Sequence, residues 1–291
     1  MQTHIPVLLA EVLEFLNPQP CGRFIDGTLG AGGHSAAILD RTSPDGRLLG
    51  IDQDESAIDR ARLNLAEYGS RLEIVKSNFS EISTIAETHG FMGADGILAD
   101  IGVSSMMVDD PTRGFSFMRE REGKLDMRMD RDQELTAAEV VNTYSEKEIA
   151  NILFTLGEER RSRPIARSIV RARPLQLTTD LARAVERVTG GLRHGKIHPA
   201  TRTFQALRIH VNDELRSLEK FVDASMSVLR PGGRLVVITF HSLEDRIVKN
   251  KFRSSVVPGK ALTKKVVIAS DDELRRNPRA RSAKLRAWEK S

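Results

Sequence analysis

Between Arg23 and Ser35 the chain reads RFIDGTLGAGGHS, in which a short apolar run ends in the acid Asp26 and passes directly into Gly27, Gly30, Gly32 and Gly33. Glycine admits positive φ and lets a backbone approach a ligand closely. A second apolar run, RLLGID, ends in Asp52, and a third, GILAD, ends in Asp100. If these runs are parallel strands, the three carboxylates lie at one edge of one sheet, where open α/β sheets bind ligands. An acid placed as Asp52 is accepts hydrogen bonds from the hydroxyls of a ribose. The pattern predicts a cofactor containing adenosine; the plain alternative is a tight turn that binds nothing.

The sign of the charge narrows the cofactor. Asp26 at the mouth of the loop repels a pyrophosphate and attracts the ammonium and sulfonium of S-adenosylmethionine, since the Coulomb energy changes sign with the charge. The third glycine of the dinucleotide pattern G-x-G-x-x-G is replaced by Ser35, which weakens the case for a nicotinamide dinucleotide. S-adenosylmethionine is the expected cofactor, and a nicotinamide oxidoreductase the competing reading.

Asp100, followed by IGVSS, suits a reaction at an amino group. An exocyclic base amine is a weak nucleophile because its lone pair is delocalised into the ring. A carboxylate and a carbonyl oxygen accepting its N–H bonds localise that pair, and positioning supplies much of the remaining rate. On methyl transfer the amine becomes cationic and sheds a proton, which Asp100 can stabilise or water can receive. The alternatives for Asp100 are an N-cap in a strand-to-helix turn, or a contact to the donor's own ammonium. Phe79 is either core or a lid on an adenine face. In TFHSLEDR, Ser242 is expected to cap a helix with Asp245, while His241 either orients substrate or ends a strand with its hydrogen bonds satisfied. Phe115 and Phe117, in RGFSFMREREGKLDMRMD, either stack a flipped base or fill the space between two domains.

Strands are expected near Arg23–Ile25, Arg47–Ile51, Leu72–Lys76, Gly96–Asp100 and Arg234–Thr239, with helices between them, hence an α/β fold with a parallel sheet. Over 130 residues separate GILAD from RLVVIT, so something is inserted. Residues 109–211 show no alternation of strand type but several helix starts, among them Thr136-x-x-Glu139 and Ser145-x-x-Glu148, both capping boxes by pattern. An inserted helical domain is expected there, projecting from the cofactor edge, with residues 1–108 and 212–291 forming a discontinuous sheet domain. KKVVIAS and ARSAKLRAW are expected to supply the last strands, and LRPGGR a helix stop and tight turn before RLVVIT.

The net charge of +4 is unevenly spread. Residues 157–210 hold 12 Lys/Arg against 4 Asp/Glu and residues 246–291 hold 14 against 4, so the rest of the chain is acidic. Arginine supplies 11 of the 12 cations in the first segment, and its planar fork suits phosphate. This asymmetry points to nucleic acid; solvated helical faces are the plain alternative. Cys21 is the single cysteine, which excludes an internal disulfide and fits a reducing cytoplasm, and the seven histidines show no zinc spacing. The apolar start MQTHIPVLLAEVLEFL lacks a basic beginning and contains Glu11 and Glu14, so an amphipathic helix is expected there. No apolar run approaches membrane-spanning length.

The segments HIPVLLAE, IDGTLGAGGHS, GIDQD, DGILADIGVSS, RGFSFM with LDMRMD, GEER, HPATRTFQALRIHVNDEL, LRPGGRL, FHSLEDR and NPRARS together resemble one family, the bacterial MraW/RsmH ribosomal RNA methyltransferases. The resemblance covers nearly the whole chain. It implies a class I S-adenosylmethionine-dependent methyltransferase domain, with a seven-stranded, mostly parallel sheet, interrupted by a helical domain. It also implies methylation of cytosine N4 in a decoding-centre cytidine of 16S rRNA in assembled small subunits; the absence of a metal is expected from the histidine and cysteine spacing alone. Family cofactor contacts fall at positions matching Gly32, Gly33, His34, Asp52, Phe79 and Asp100, which favours the lid for Phe79. A further contact that is usually a glutamine falls at Met107, whose thioether lacks the donor and acceptor of an amide. The reading from a different class is a non-catalytic factor that binds ribosomal RNA and keeps a vestigial pocket.

Overall fold

The computed structural model describes residues 5–190 and 198–291, apart from the side chains of Ser105 and Arg119. His4 of the HIPVLLAE segment, and Arg193 and Lys196 of the first basic segment, lie outside the described residues. The chain runs α1 (Leu9–Leu16), β1 (Arg23–Asp26), α2 (Gly33–Arg41), β2 (Arg47–Asp52), α3 (Glu55–Asn64), β3 (Leu72–Lys76), α4 (Ile82–Thr88) and β4 (Ala94–Asp100). Then come α5 (Ser105–Asp109), α6 (Ala137–Thr143), α7 (Glu146–Gly157), α8 (Ser162–Arg171), α9 (Thr178–Thr189) and α10 (Thr201–Asn212). It closes with α11 (Glu214–Val228), β5 (Leu229–Thr239), α12 (Ser242–Ser254), β6 (Gly259–Ala261), α13 (Asp271–Arg276) and β7 (Lys284–Lys290). Two compact units result, residues 1–102 with 215–291 and residues 103–214.

The first unit holds a seven-stranded sheet of order β3-β2-β1-β4-β5-β7-β6. Strands β1 to β5 are parallel; β7 runs antiparallel to both its neighbours. Alternate residues of each strand enter opposite cores: Ile25, Leu49, Ile97 and Val237 pack with α4, α11 and α12, whereas Phe24, Leu48, Leu98 and Val236 pack with α1 and α2. Burial on both faces is why these strands read as unbroken apolar runs rather than as alternations. The topology turns back on itself between β1 and β4, where ligands of doubly wound sheets bind.

Helix α1 is amphipathic, with Val12 and Leu16 buried and Glu14 exposed. Among the described residues no helix is long and apolar enough to cross a membrane. LRPGGR does not form a turn ahead of its strand. It lies within β5 as an irregularity where the pairing with β4 shifts register, with Gly232 at φ 76°. KKVVIAS does not form a strand either. Val267 makes one isolated antiparallel bridge with Leu285, and the edge strand is Gly259–Ala261. Apolar character marks burial there: Val267 packs on the core beside α1 and α2 without a ladder of its own.

The second unit is helical around its own core. Helices α6 to α10 bury Val140, Ile149, Leu153, Ile165, Ile169, Leu181, Val185 and Leu207 together. Ser145 and Glu148 form a reciprocal capping box at the start of α7. At α6 only half of the pattern is realised, Thr136 accepting from the Glu139 amide at 3.1 Å. Phe115 and Phe117 pack on this unit's core, Phe117 stacked on His198 at 4.5 Å and edge-on to Phe204 at 5.0 Å.

Candidate functional site

Asp26, Asp52 and Asp100 all lie at the C-terminal ends of their strands, but at two levels. Asp26 is level with Gly50 of β2 and Leu98 of β4, so Asp52 and Asp100 reach two residues further along the sheet. Two strand residues amount to about 6.5 Å. The arrangement is a rim of two acids above a third, because β1 stops short. Asp26 is 1% exposed. One of its oxygens accepts from the Thr28 amide at 3.1 Å and the other from the Ser35 hydroxyl at 2.7 Å. Burial pushes its carboxyl above the usual range, against the Ser35 hydrogen bond, which opposes the shift. The expectation that Asp26 meets the ligand directly at the loop mouth gives way to a different placement: it anchors the loop from below.

The loop between β1 and α2 is held at every turn. The Gly27 amide donates to the Leu98 carbonyl at 2.8 Å and the Leu29 amide to that of Ile51 at 3.0 Å. The Gly30 amide donates to Asp52 at 2.8 Å. Gly32 has φ 85°, and a Cβ there would stand 2.6 Å from Leu65 Cδ1, so this position requires glycine on both counts. With glycine before it, α2 begins without a side-chain cap and without an acid in its first turn, leaving an N-terminus suited to an anion such as a carboxylate.

Asp52 accepts from the Gly30 amide with one oxygen and from the Asp54 amide, at 2.9 Å, with the other. Each carboxylate oxygen has a second lone pair, so both can still accept from a diol. Burial pushes its pKa up to about 6, against the two backbone hydrogen bonds. Phe79 opens a short 3₁₀ turn capped by Asn78, and Asn78 donates to Gln53, next to Asp52, at 3.2 Å. The Phe79 ring is half-buried and rests edge-on against Phe221, 4.9 Å between centroids. It therefore joins the core and the edge of the site at once.

His34, in the first turn of α2, is 7% exposed. Its Nε2 stands 3.6 Å from an Asp100 oxygen, just beyond hydrogen-bond reach. Among the described residues, both of its ring nitrogens and Asp100 Oδ1 are buried without a hydrogen-bond partner. Buried polar atoms are nearly always paired, so three orphans in one place mark where a polar ligand belongs. The Asp100 amide donates to the Thr28 hydroxyl at 2.6 Å, which ties the end of β4 to the loop of β1.

Thr28 and Ser35 are the residues that sequence reasoning misses. Ser35 stands out only as a departure from a glycine pattern, yet its hydroxyl is what the buried Asp26 needs. The clue lies in the spacing: a hydroxyl at the third position of α2, nine residues after an acid at a strand end. His241, not Ser242, caps α12. Its Nδ1 accepts from the Glu244 amide at 3.4 Å, and the Glu244 carboxylate accepts from the His241 amide at 3.2 Å. The helix begins one residue earlier than the Ser242 pattern implies, and the imidazole fills the role expected of the serine. Met107 lies in the second unit, in α5, with its side chain buried.

The acceptors at the rim, the aromatic edge and the open helix end fit a cationic nucleoside that carries a carboxylate. The chain matches the model of the MraW methylase family over residues 1–291. It is 52% identical over 289 residues to the ribosomal RNA small subunit methyltransferase H of Nostoc sp., covering 99% of this chain and 93% of that one. Over 292 residues it is 51% identical to the protein of the same name from Desulfotalea psychrophila, covering 99% and 98%. Among solved structures it is similar to a SAM-dependent O-methyltransferase from Thermotoga maritima, at a TM-score of 0.45 and 11% identity, over 100% of this chain and 68% of that one.

Proposed function

Because the chain belongs to the MraW methylase family along its whole length, we propose that it methylates the exocyclic N4 of a decoding-centre cytidine in 16S rRNA, using S-adenosylmethionine, in the small ribosomal subunit of the cytoplasm. The observation that carries this reading is the orphaned trio of His34 Nδ1, His34 Nε2 and Asp100 Oδ1, buried at the same sheet edge as the ribose acceptor Asp52. When bound, the cofactor supplies an electrophilic methyl carbon on a cationic sulfur. Asp52 accepts from its ribose hydroxyls, Phe79 covers its adenine, and Gly32, Gly33 and His34 receive its methionine end at the start of α2. Asp26 stays beneath, holding the loop through Thr28 and Ser35.

Asp100 acts on the acceptor amine. Its unpaired oxygen accepts an N–H bond of the cytosine amine, which localises the lone pair and aims it for in-line attack. As positive charge grows on that nitrogen, the carboxylate stabilises it, and the departing proton leaves to the carboxylate or to water. The helical unit of residues 103–214, which begins in the chain just after Asp100, is assigned to substrate recognition, and Met107 to a cofactor contact made without the amide of a glutamine.

The test is transfer of tritium from labelled S-adenosylmethionine to purified small subunits, followed by nucleoside analysis. Label on N4-methylcytidine is the expected result. Cofactor-bound protein that leaves cytidine unlabelled rules the reading out.

A further inference from the structure

Both basic segments found in the sequence contain paired cations: Lys251 with Asp223, Lys260 with Glu289, Arg275 with Asp272 and Arg286 with Asp245 in the C-terminal one, Arg183 with Asp180 and Arg208 with Glu214 in the first. On α8 itself acids are lacking. The helix contains three arginines and no acid. Arg163, Arg167 and Arg171 recur every fourth residue, so they share one face, spanning about 12 Å of helix axis. All three are exposed, as is Arg160 in the preceding turn. Among the described residues Arg160, Arg163 and Arg171 have no acidic partner, and Arg167 meets Glu146 only at 3.4 Å on the surface. The opposite face buries Ile165, Ala166 and Ile169 in the unit's core, which fixes the direction in which the arginines point.

Helix stability does not account for these charges. Cations near a helix N-terminus oppose the macrodipole, yet Arg160, Arg161 and Arg163 cluster there, and α8 starts without a side-chain cap. The flanking helices α7 and α9 open on Glu146 with Glu148 and on Asp180. Guanidinium groups in a row match phosphates in a row, with two parallel N–H donors available per contact.

We infer that the exposed face of α8, carried by Arg160, Arg163 and Arg171, is the surface on which the phosphate backbone of the substrate RNA docks. This rests on the proposed function and adds to it the place where the polyanion is gripped, within the second unit.

The experiment compares full-length wild type with Arg160→Gln/Arg163→Gln/Arg171→Gln in equilibrium binding to deproteinised 16S rRNA over a range of KCl concentrations. Each phosphate contact contributes about 0.7–0.9 to the slope of log affinity against log salt. The triple variant should lose roughly 2 to 3 from that slope and on the order of tenfold to a hundredfold in affinity near 0.1 M salt. Its affinity for S-adenosylmethionine should equal that of wild type, which reports an intact fold. The triple Arg→Lys variant should keep the slope. A Gln variant that binds RNA with the wild-type slope overturns the inference. So does an equal loss of slope in the matched variant Lys249→Gln/Lys264→Gln/Lys265→Gln, since any surface charge would then serve. Wild type that binds RNA steeply with salt but transfers no methyl group defeats the proposed function and leaves this surface standing.

Discussion

The acids at the strand ends of the sheet and the arginines of α8 are of opposite sign and sit in opposite surroundings. Asp26 is 1% exposed and has a fixed partner for each oxygen, whereas the side chain of Arg167 is 59% exposed and its arginine neighbours on the helix have no acidic partner among the described residues. A buried charge is costly unless hydrogen-bonded, so the sheet unit surrounds Asp26 and Asp52 with amides and a hydroxyl at set distances. An exposed guanidinium keeps its hydration and needs no such frame. On the functions proposed for them, the first arrangement serves geometry, as required where atoms react, and the second serves attraction, as required where a long anion is captured in many registers. The contrast can be broken at either end.

The largest effect is expected at Asp100. Asp100→Ala should lower methyl transfer to small subunits by roughly a thousandfold, within the span usual for lost proton-transfer and positioning groups, while 16S rRNA affinity stays within about twofold. A parallel loss of RNA binding would show that the two regions are not separable. Asp52→Ala comes next. It removes the carboxylate proposed to accept from the ribose and strands the Gly30 and Asp54 amides, so calorimetry should record a loss of about a hundredfold in cofactor affinity, the scale of a charge-assisted hydrogen bond.

Ser35→Ala leaves one oxygen of the buried Asp26 unsatisfied and should cost about 1–3 kcal/mol of stability, visible as a lowered melting temperature. Its counterpart on α8, Arg171→Ala, should leave the melting temperature unchanged. The titration of Asp52 gives a smaller signal. Its carboxyl has a pKa of about 6 in the folded protein against an ordinary value of 3.8. Between these values the folded state holds the extra proton, so the stability of the ligand-free protein falls as pH rises through that window and levels off above 6. Cofactor affinity should move the other way, rising several-fold from about pH 5 to 7 as the acceptor ionises; a flat profile would remove Asp52 from the ribose. The smallest effect should be that of salt on cofactor binding, at most about twofold between roughly 0.05 and 0.3 M, because buried charges are little screened.

Local chemistry makes parts of this molecule legible from residue order alone. The apolar runs ending in Asp26, Asp52 and Asp100 mark strands because parallel strands are buried on both faces and leave no alternation to read. The glycines of the loop mark a backbone that must turn and approach closely, and Gly32 does both. Where residue order misleads, the cause is an interaction that sequence distance hides or a side chain in an uncommon role. Val267 is apolar because it packs on a core, not because it extends a ladder. His241 takes the cap because its imidazole reaches the Glu244 amide, although histidine is not among the residues usually preferred there.

The sequence by itself determined the succession of strands and helices, the acids at the strand ends, the glycine loop and the lopsided charge, since each depends on residues that are neighbours along the chain. The tertiary structure decided the rest. Sheet register set Asp26 below Asp52 and Asp100, and packing joined Ser35 to Asp26, Thr28 to Asp100 and Phe79 to Phe221. Acid pairings form along both basic segments and leave most of α8 bare. Register and long-range pairing are properties of the whole packed chain. A run of residues states what a side chain can do, and only the fold states what it is beside.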